Sequence, residues 1–359
     1  MRIHLLKGWV LLTIIVAINQ VILYFLPFTW AEQTIDVKYT YYQTHAEHYN
    51  TLFIGTSGTY RQLSPQLFDE LADKSLQINS FNLAAPSYFS PKTELLYRNI
   101  LKNKPANLKY VILEFRDPRY RIGNNVLHTT EMKYWVTPAD TRAAIAYIFS
   151  QPEMGWRNKF TLVGRQLLHL SEKNFNIGEG TDIINFWIRD DEADWPRHLG
   201  KKMDGFYTLD EEIAEYPQEK YFRRYNYVRA NPTILKEQEL RSRQFLETID
   251  ETSPVNPVLL EHFQALIANS ESHGVHLILL LGPRLEDEYK ALLPVYYHLP
   301  AQHKIEMTHP DEYPEFYSMA YTFDRGHMNR EGARLYTQAL AQKFNQLMSV
   351  DPTASPSQK

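Results

Sequence analysis

Residues 51–61 read T-L-F-I-G-T-S-G-T-Y-R. Thr51 to Ile54 are β-prone and largely apolar, which predicts a short buried strand. Gly55 interrupts the pattern, and Ser57 follows between Thr56 and Gly58. A buried strand fixes the backbone at its end, and glycines let the chain turn sharply there, so that a hydroxyl projects from the sheet edge. Such a turn can present a nucleophile. Gly-Thr-Ser-Gly also occurs in ordinary turns, so the stretch needs support from elsewhere in the chain.

That support is in residues 322–340, T-F-D-R-G-H-M-N-R-E-G-A-R-L-Y-T-Q-A-L. Asp324 and His327 stand three apart in a polar, glycine-containing turn. A helix is predicted just after them, with Asn329 as N-cap and Glu331 in the first turn, where the helix dipole favours negative charge. Ala333, Tyr336, Leu340, Phe344 and Leu347 recur at helical spacing and predict its buried face. A general base needs an imidazole near the nucleophile and a carboxylate to orient it, and Asp324 and His327 supply both. The alternative is a surface Asp-Gly turn beside a solvated histidine.

Taken together, the two stretches resemble the SGNH hydrolase superfamily, the GDSL-like esterases and acyltransferases. Ser57 matches the serine that follows the first strand in that family, within G-T-S-G rather than G-D-S. Asp324 and His327 match its D-x-x-H motif, and the following N-R-E-G-A is typical of it. The α/β-hydrolase pattern fits less well: G-x-S-x-G would put glycine where Thr59 stands, and would separate acid and histidine in sequence. The resemblance implies a Ser57–His327–Asp324 triad. It also implies oxyanion donors near Gly58 and in a second block, where Asn82 matches the family's asparagine and Ser87 stands at its glycine. The third block departs from the pattern. Arg116-Asp117-Pro118 replaces Gly-x-Asn-Asp, so the amide donor is missing, and Arg116 either approaches its place or pairs with Asp117.

With 359 residues, no cysteine and a net charge of −4, the composition is globular, excludes disulfides and thiolate chemistry, and gives no sign of nucleic-acid binding. Residues 1–30 predict a signal anchor. Arg2 and Lys7 precede an uncharged run from Trp9 to Phe28, long enough to cross a bilayer, with Trp9, Tyr24 and Trp30 near its ends. Glu32 and Asp36 follow it, so the positive-inside tendency leaves the N-terminus in the cytoplasm and the main domain periplasmic or extracellular. A cleaved signal peptide is the rival reading. Residues 31–49 are expected to be a juxtamembrane linker, with His45 and His48 solvated.

Residues 50–348 predict an α/β domain with a doubly wound, flavodoxin-like parallel sheet in three layers. Its strands are expected at 51–54, 76–83, 109–115, 275–281 and 303–308, with helices at 65–71, 91–103, 257–270 and 285–293 between them. Ligands of such sheets bind at the carboxyl ends of the strands. Residues 119–256 form a large aromatic-rich insertion, with W-R-N, I-N-F-W-I-R, D-G-F-Y and Y-F-R-R-Y-N-Y clusters, expected over the active-site edge. Its rings suit either stacking on sugars or packing inside a helical subdomain. Residues 349–359 are expected to be a disordered tail.

The resemblance and the anchor together imply an acyl-esterase or O-acyltransferase acting on cell-envelope polysaccharide, working from the cytoplasmic membrane. A multi-spanning membrane O-acyltransferase is a possible partner, and no cofactor or metal is expected. The alternatives are a non-catalytic tethered scaffold on a degenerate fold, and an ordinary exported lipase or esterase.

Overall fold

The chain begins with one long helix, α1 (Arg2–Phe25), in a computed structural model that describes residues 2–118, 136–175, 180–189 and 191–350. Within α1, the 20 residues Leu6–Phe25 are long and apolar enough to cross a membrane. A signal sequence has the same length and composition. The stretch expected to be a juxtamembrane linker carries a helix, α2 (Gln33–Thr44). Val37, Lys38 and Tyr42 of α2 are buried. Tyrosine reads as polar in sequence, but its ring carries enough apolar surface to anchor a helix.

The central sheet has five parallel strands in the order β2 (Ser80–Asn82), β1 (Thr51–Ile54), β3 (Tyr110–Glu114), β4 (His276–Leu281) and β5 (Lys304–Glu306). Phe53 of β1 lies opposite Asn82 on one side and Ile112 on the other. Both faces of the sheet are covered. On the first, Phe53, Ile112, Ile278, Leu280 and Ile305 pack with Phe68 of α4 (Pro65–Leu71) and with Leu340 and Phe344 of α15 (Arg330–Val350). On the second, Leu52, Val111, Leu277 and Leu279 are buried. There Phe115, just past β3, has Phe263 of α13 (Pro257–Ser272) at 4.6 Å and Tyr296 of α14 (Tyr289–Tyr297) at 5.1 Å. Strands buried on both faces read as continuous apolar runs, which is why β1, β3 and β4 stand out in the sequence. Each fully buried side chain of this kind contributes about 1.5–3 kcal/mol.

Two elements differ from expectation. The strand expected at 76–83 is confined to residues 80–82 because Lys74–Leu76 form a tight turn and Gln77 takes the left-handed conformation, φ 51°. The helix expected at 285–293 starts at Tyr289, because residues 283–288 turn and Arg284 is left-handed, φ 61°.

The chain divides into two compact units, residues 1–36 with 119–192, and residues 37–118 with 193–359. The stretch expected to be one insertion is therefore split between them; its residues 119–135 lie outside the described residues. In the first unit, α6 (Pro138–Ser150), α7 (Trp156–Phe175) and α8 (Gly180–Ile188) accompany α1. Ile183 of α8 packs with Leu26 and Trp30. In the second unit, α9 (Asp191–Leu199), α10 (Leu209–Glu215), α11 (Glu219–Ala230) and α12 (Thr233–Thr248) join the sheet. Here the D-G-F-Y and Y-F-R-R-Y-N-Y clusters supply packing: Tyr207 lies against Tyr60 and Ala84, and Tyr221 against Leu209 and Phe323. The terminal segment 351–359 lies outside the described residues.

Candidate active site

Strand β1 ends at Ile54, and after Gly55 and Thr56 the short helix α3 (Ser57–Gln62) begins at Ser57. Thr56 caps it: its Oγ1 accepts from the Gly58 N–H at 3.2 Å. The turn is held from below by Glu114, at the end of β3. Glu114 Oε2 accepts from Thr56 N at 2.6 Å and from Thr59 Oγ1 at 3.0 Å. Its Oε1 accepts from Thr56 Oγ1 at 3.1 Å and from Arg116 Nε at 2.8 Å. Burial pushes the Glu114 carboxyl up, but Arg116 and the hydrogen bonds from Thr56 outweigh this and hold it below the usual carboxylate range. Gly55 is required by this close approach, since a Cβ there would stand 2.3 Å from Thr59 Oγ1 and 2.6 Å from Glu114 Oε2.

Asp324 and His327 come from a two-stranded antiparallel ribbon, β6 (Thr322–Asp324) and β7 (His327–Met328), with Arg325-Gly326 at its tip. Asp324 Oδ1 accepts from Gly326 N at 2.8 Å, His327 N at 3.0 Å and His327 Nδ1 at 2.8 Å. With Nδ1–H donating to Asp324, His327 Nε2 is left as the acceptor. The Ser57 hydroxyl lies 2.8 Å from it, across 270 residues of sequence. His327 and Asp324 are buried, while Ser57 is half-buried, so the hydroxyl is the accessible end of the relay. Just beyond, Asn329 caps α15, its Oδ1 accepting from Gly332 N at 2.9 Å.

Two arginines set this ribbon. Arg284 is buried and donates to the carbonyls of Phe316 at 2.8 Å, Asp324 at 3.3 Å and Arg325 at 3.2 Å, and to Thr322 Oγ1 at 2.7 Å. Burial pushes its guanidinium down to about 10, so it remains charged at neutral pH. Its left-handed backbone is uncommon for a residue with a Cβ and marks a position fixed by its surroundings. Arg224 reaches in from α11. Its Nη2 lies 2.5 Å from Asp324 Oδ2 and 3.0 Å from His327 Nδ1. Guanidinium and Nδ1–H are both donors, so the second approach is not a hydrogen bond; the two groups come close because each addresses the Asp324 carboxylate. Burial alone pushes the Asp324 carboxyl up; His327, Arg224 and the Gly326 N–H together hold it below its ordinary value.

The remaining residues singled out in the sequence are placed as follows. The Gly58 N–H is directed to the cap on Thr56. The Ser57 N–H has no intramolecular acceptor among the described residues. The loop after β2 runs beside the turn that carries Ser57, with Leu83 N donating to Phe53 O at 2.8 Å and Ala85 N to Gly55 O at 3.3 Å. Ser87, two residues on, is exposed and has φ 58°, the conformation that favours the glycine expected there. Asn82 is fully buried, and both its amide hydrogens are engaged, on Thr59 O at 3.0 Å and Leu63 O at 2.9 Å, while its Oδ1 accepts from Ala84 N. It ties α3 to the neighbouring loop. The Arg116 guanidinium lies between Glu114, at 2.8 Å, and Glu288, at 2.9 Å, so it braces the carboxylate under the nucleophile turn.

Lys38 of α2 supports the same loop. Its buried Nζ donates to Asn82 O, Ala84 O at 2.5 Å and Gly205 O at 2.7 Å. Burial, with Arg61 adding, drives its ammonium well below the ordinary lysine range.

Sequence reasoning thus found the three residues that meet and missed Glu114, Arg224, Arg284 and Lys38. Glu114 carried a signal: a carboxylate ending an otherwise apolar strand requires a partner. Arg224 and Arg284 carried none that distinguishes them from other arginines. Among the described residues, no group of three or more histidines and carboxylates is placed to hold a metal ion. Comparisons with known protein families, with curated proteins and with solved structures found no match to this chain.

Proposed function

We propose that this chain is a membrane-anchored, extracytoplasmic serine acyl-esterase or O-acyltransferase of the SGNH type. The observation that carries the reading is the relay in which Ser57 Oγ lies 2.8 Å from His327 Nε2 and, across the ring, His327 Nδ1 lies 2.8 Å from Asp324 Oδ1. The strand order β2-β1-β3-β4-β5, covered on both faces, supports a doubly wound, flavodoxin-like sheet in three layers, with the serine at the carboxyl end of β1.

In the reaction, His327 Nε2 takes the hydroxyl proton as Ser57 Oγ attacks an acyl carbonyl. Asp324 holds the ring and stabilises its charged form. The Ser57 N–H, and the N–H of Ser87 from the adjoining loop, are the oxyanion donors of this scheme. The protonated imidazole gives its proton to the departing alkoxide, leaving an acyl-serine. The same nitrogen then takes a proton from water, releasing a carboxylic acid, or from a sugar hydroxyl, forming a new ester. The apolar α1 supports membrane attachment. An envelope polysaccharide is the acceptor or substrate in this proposal, and a multi-spanning acyltransferase is a source of acyl groups.

A second reading, a non-catalytic scaffold, is favoured by one observation: Asn82 and Arg116, the two side chains singled out as oxyanion candidates, are both committed to internal partners. Mass spectrometry of the intact chain after mixing with p-nitrophenyl acetate separates the two. The enzyme gains one acetyl group on Ser57, and Ser57→Ala gains none. A folded chain that takes up no acetyl group is the scaffold.

A further inference from the structure

The unit formed by residues 1–36 with 119–192 distributes polarity in a way that water does not favour. On α7, Trp156, Phe160 and Leu167 stand at positions i, i+4 and i+11, which is one stripe of a helix. They are 67%, 62% and 49% exposed. The side of the same helix that turns inward carries three buried polar residues, Lys159, Gln166 and His169, among the half-buried Leu162, Val163 and Leu170, and Lys159 Nζ donates to Phe149 O at 3.0 Å. A soluble helical unit does the reverse, and polar-in with apolar-out is the arrangement of a surface solvated by lipid.

The helices that carry these exposed side chains pack on α1. Helix α7 packs on α1, where the buried Asn19 Nδ2 donates to Asn174 O. From α8, Ile183 and Phe186 pack against the end of α1 at Ile22, Leu26 and Trp30. Their helix neighbours Trp187 and Ile188 point away and are 54% and 74% exposed. The exposed Trp187 and Ile188 therefore belong to the helix that packs at the end of α1 around Trp30, and the exposed stripe of α7 to a helix that itself packs on α1.

We infer that α7 and α8 lie in the outer boundary of the bilayer that α1 enters, with the Trp156–Phe160–Leu167 stripe and the Trp187–Ile188 edge in the acyl region, forming a second membrane contact. This rests on reading α1 as a membrane segment. Interfacial helices of this kind sink about 5–10 Å below the headgroups, with basic residues such as the exposed Arg157 kept at the water side. On this inference Trp156 of the W-R-N cluster and Trp187 and Ile188 of the I-N-F-W-I-R cluster face lipid and leave the reading of sugars to other residues.

The chain has no cysteine, so single nitroxide labels are clean. The full chain is reconstituted at one copy per lipid nanodisc, labelled in turn as Ile14→Cys, Phe160→Cys, Leu167→Cys, Ile188→Cys and Arg157→Cys. Accessibility to oxygen, which concentrates in lipid, is compared with accessibility to a water-soluble nickel chelate. Expected is an oxygen-to-nickel ratio at 160, 167 and 188 within about twofold of that at 14, with 157 favouring nickel. Nickel access at 160, 167 and 188 while 14 remains in lipid overturns the inference and leaves the anchor standing, as does protection from both reagents, the mark of a protein-covered face. Nickel access at 14 as well overturns the anchor itself. In the unlabelled chain, Trp156→Phe with Trp187→Phe must reduce the tryptophan emission quenched by brominated lipid; an unchanged quenched fraction overturns the inference independently of labelling.

Discussion

Replacing Glu114 with glutamine tests how the nucleophile turn is held. The wild-type carboxylate accepts four hydrogen bonds, two on each oxygen, from Thr56 N, Thr56 Oγ1, Thr59 Oγ1 and Arg116 Nε. A hydroxyl can rotate to accept from the new amide, but the Thr56 N–H and the Arg116 Nε–H sit on opposite oxygens and can only donate. Either orientation of glutamine therefore points its NH2 at one of them. One charge-assisted bond is lost outright and the other is reduced to a neutral one; at about 1.5–3 kcal/mol for a hydrogen bond to a charged group, the cost is about 3–5 kcal/mol. At roughly 2 °C per kcal/mol for a protein above 150 residues, Tm falls by roughly 6–10 °C. The effect also has a pH signature. The folded carboxyl is held below its ordinary value of 4.5, so its stabilisation is complete above that value and is lost as pH falls through the lower folded value. Wild type and Glu114→Gln should therefore differ fully at pH 7 and converge below 4.5, as followed by thermal unfolding monitored by circular dichroism. A variant within 1 °C of wild type at pH 7, or a difference that grows on acidification, refutes the clamp.

Three further substitutions probe the ribbon. Asp324→Asn replaces the acceptor of His327 Nδ1–H and favours the wrong tautomer, so acyl transfer to Ser57 should fall by about four orders of magnitude at a temperature where the variant is fully folded, its Tm being lowered by loss of the Arg224 pair; a loss under tenfold removes Asp324 from the relay. Arg224→Gln removes a guanidinium that is 45% exposed at its side chain, so solvent screening limits the effect to about tenfold in acylation rate. Raising the Asp324 carboxyl toward its ordinary value should also weaken the acid dependence of stability below pH 4, seen as a flatter Tm–pH curve; an unchanged curve excludes Arg224 as a partner. Arg284→Lys cannot reach the carbonyls of Phe316, Asp324 and Arg325 together and leaves buried acceptors unpaired. It should cost about 2–4 kcal/mol in urea unfolding, and a cost under 1 kcal/mol shows that Arg284 does not hold the ribbon.

What the sequence disclosed and what it concealed follow from the range of each interaction. Strands β1, β3 and β4 are continuous apolar runs because neighbours cover both faces, and that is visible locally. Ser57, Asp324 and His327 stand out because reactive residue types occur beside glycine turns. The shortening of β2 turns on the left-handed Gln77, and side-chain identity does not reveal such a backbone choice. Aromatic content alone could not show that Tyr207 and Tyr221 pack inward while Trp156 and Trp187 face out, since a large amphipathic ring suits either setting. Asn82 was found as a residue, but whether its amide faces a ligand or the helix beside it depends on distant packing. Arg224 lies 103 residues from His327 and meets it only in the folded chain.

Acyl chemistry at Ser57 is tested most directly by treating the full chain with a fluorophosphonate and locating the adduct by peptide mass spectrometry. The account expects one adduct, on Ser57, abolished in Ser57→Ala and slowed in His327→Ala. A folded chain that takes no label, or one that labels equally well without the Ser57 hydroxyl, contradicts it.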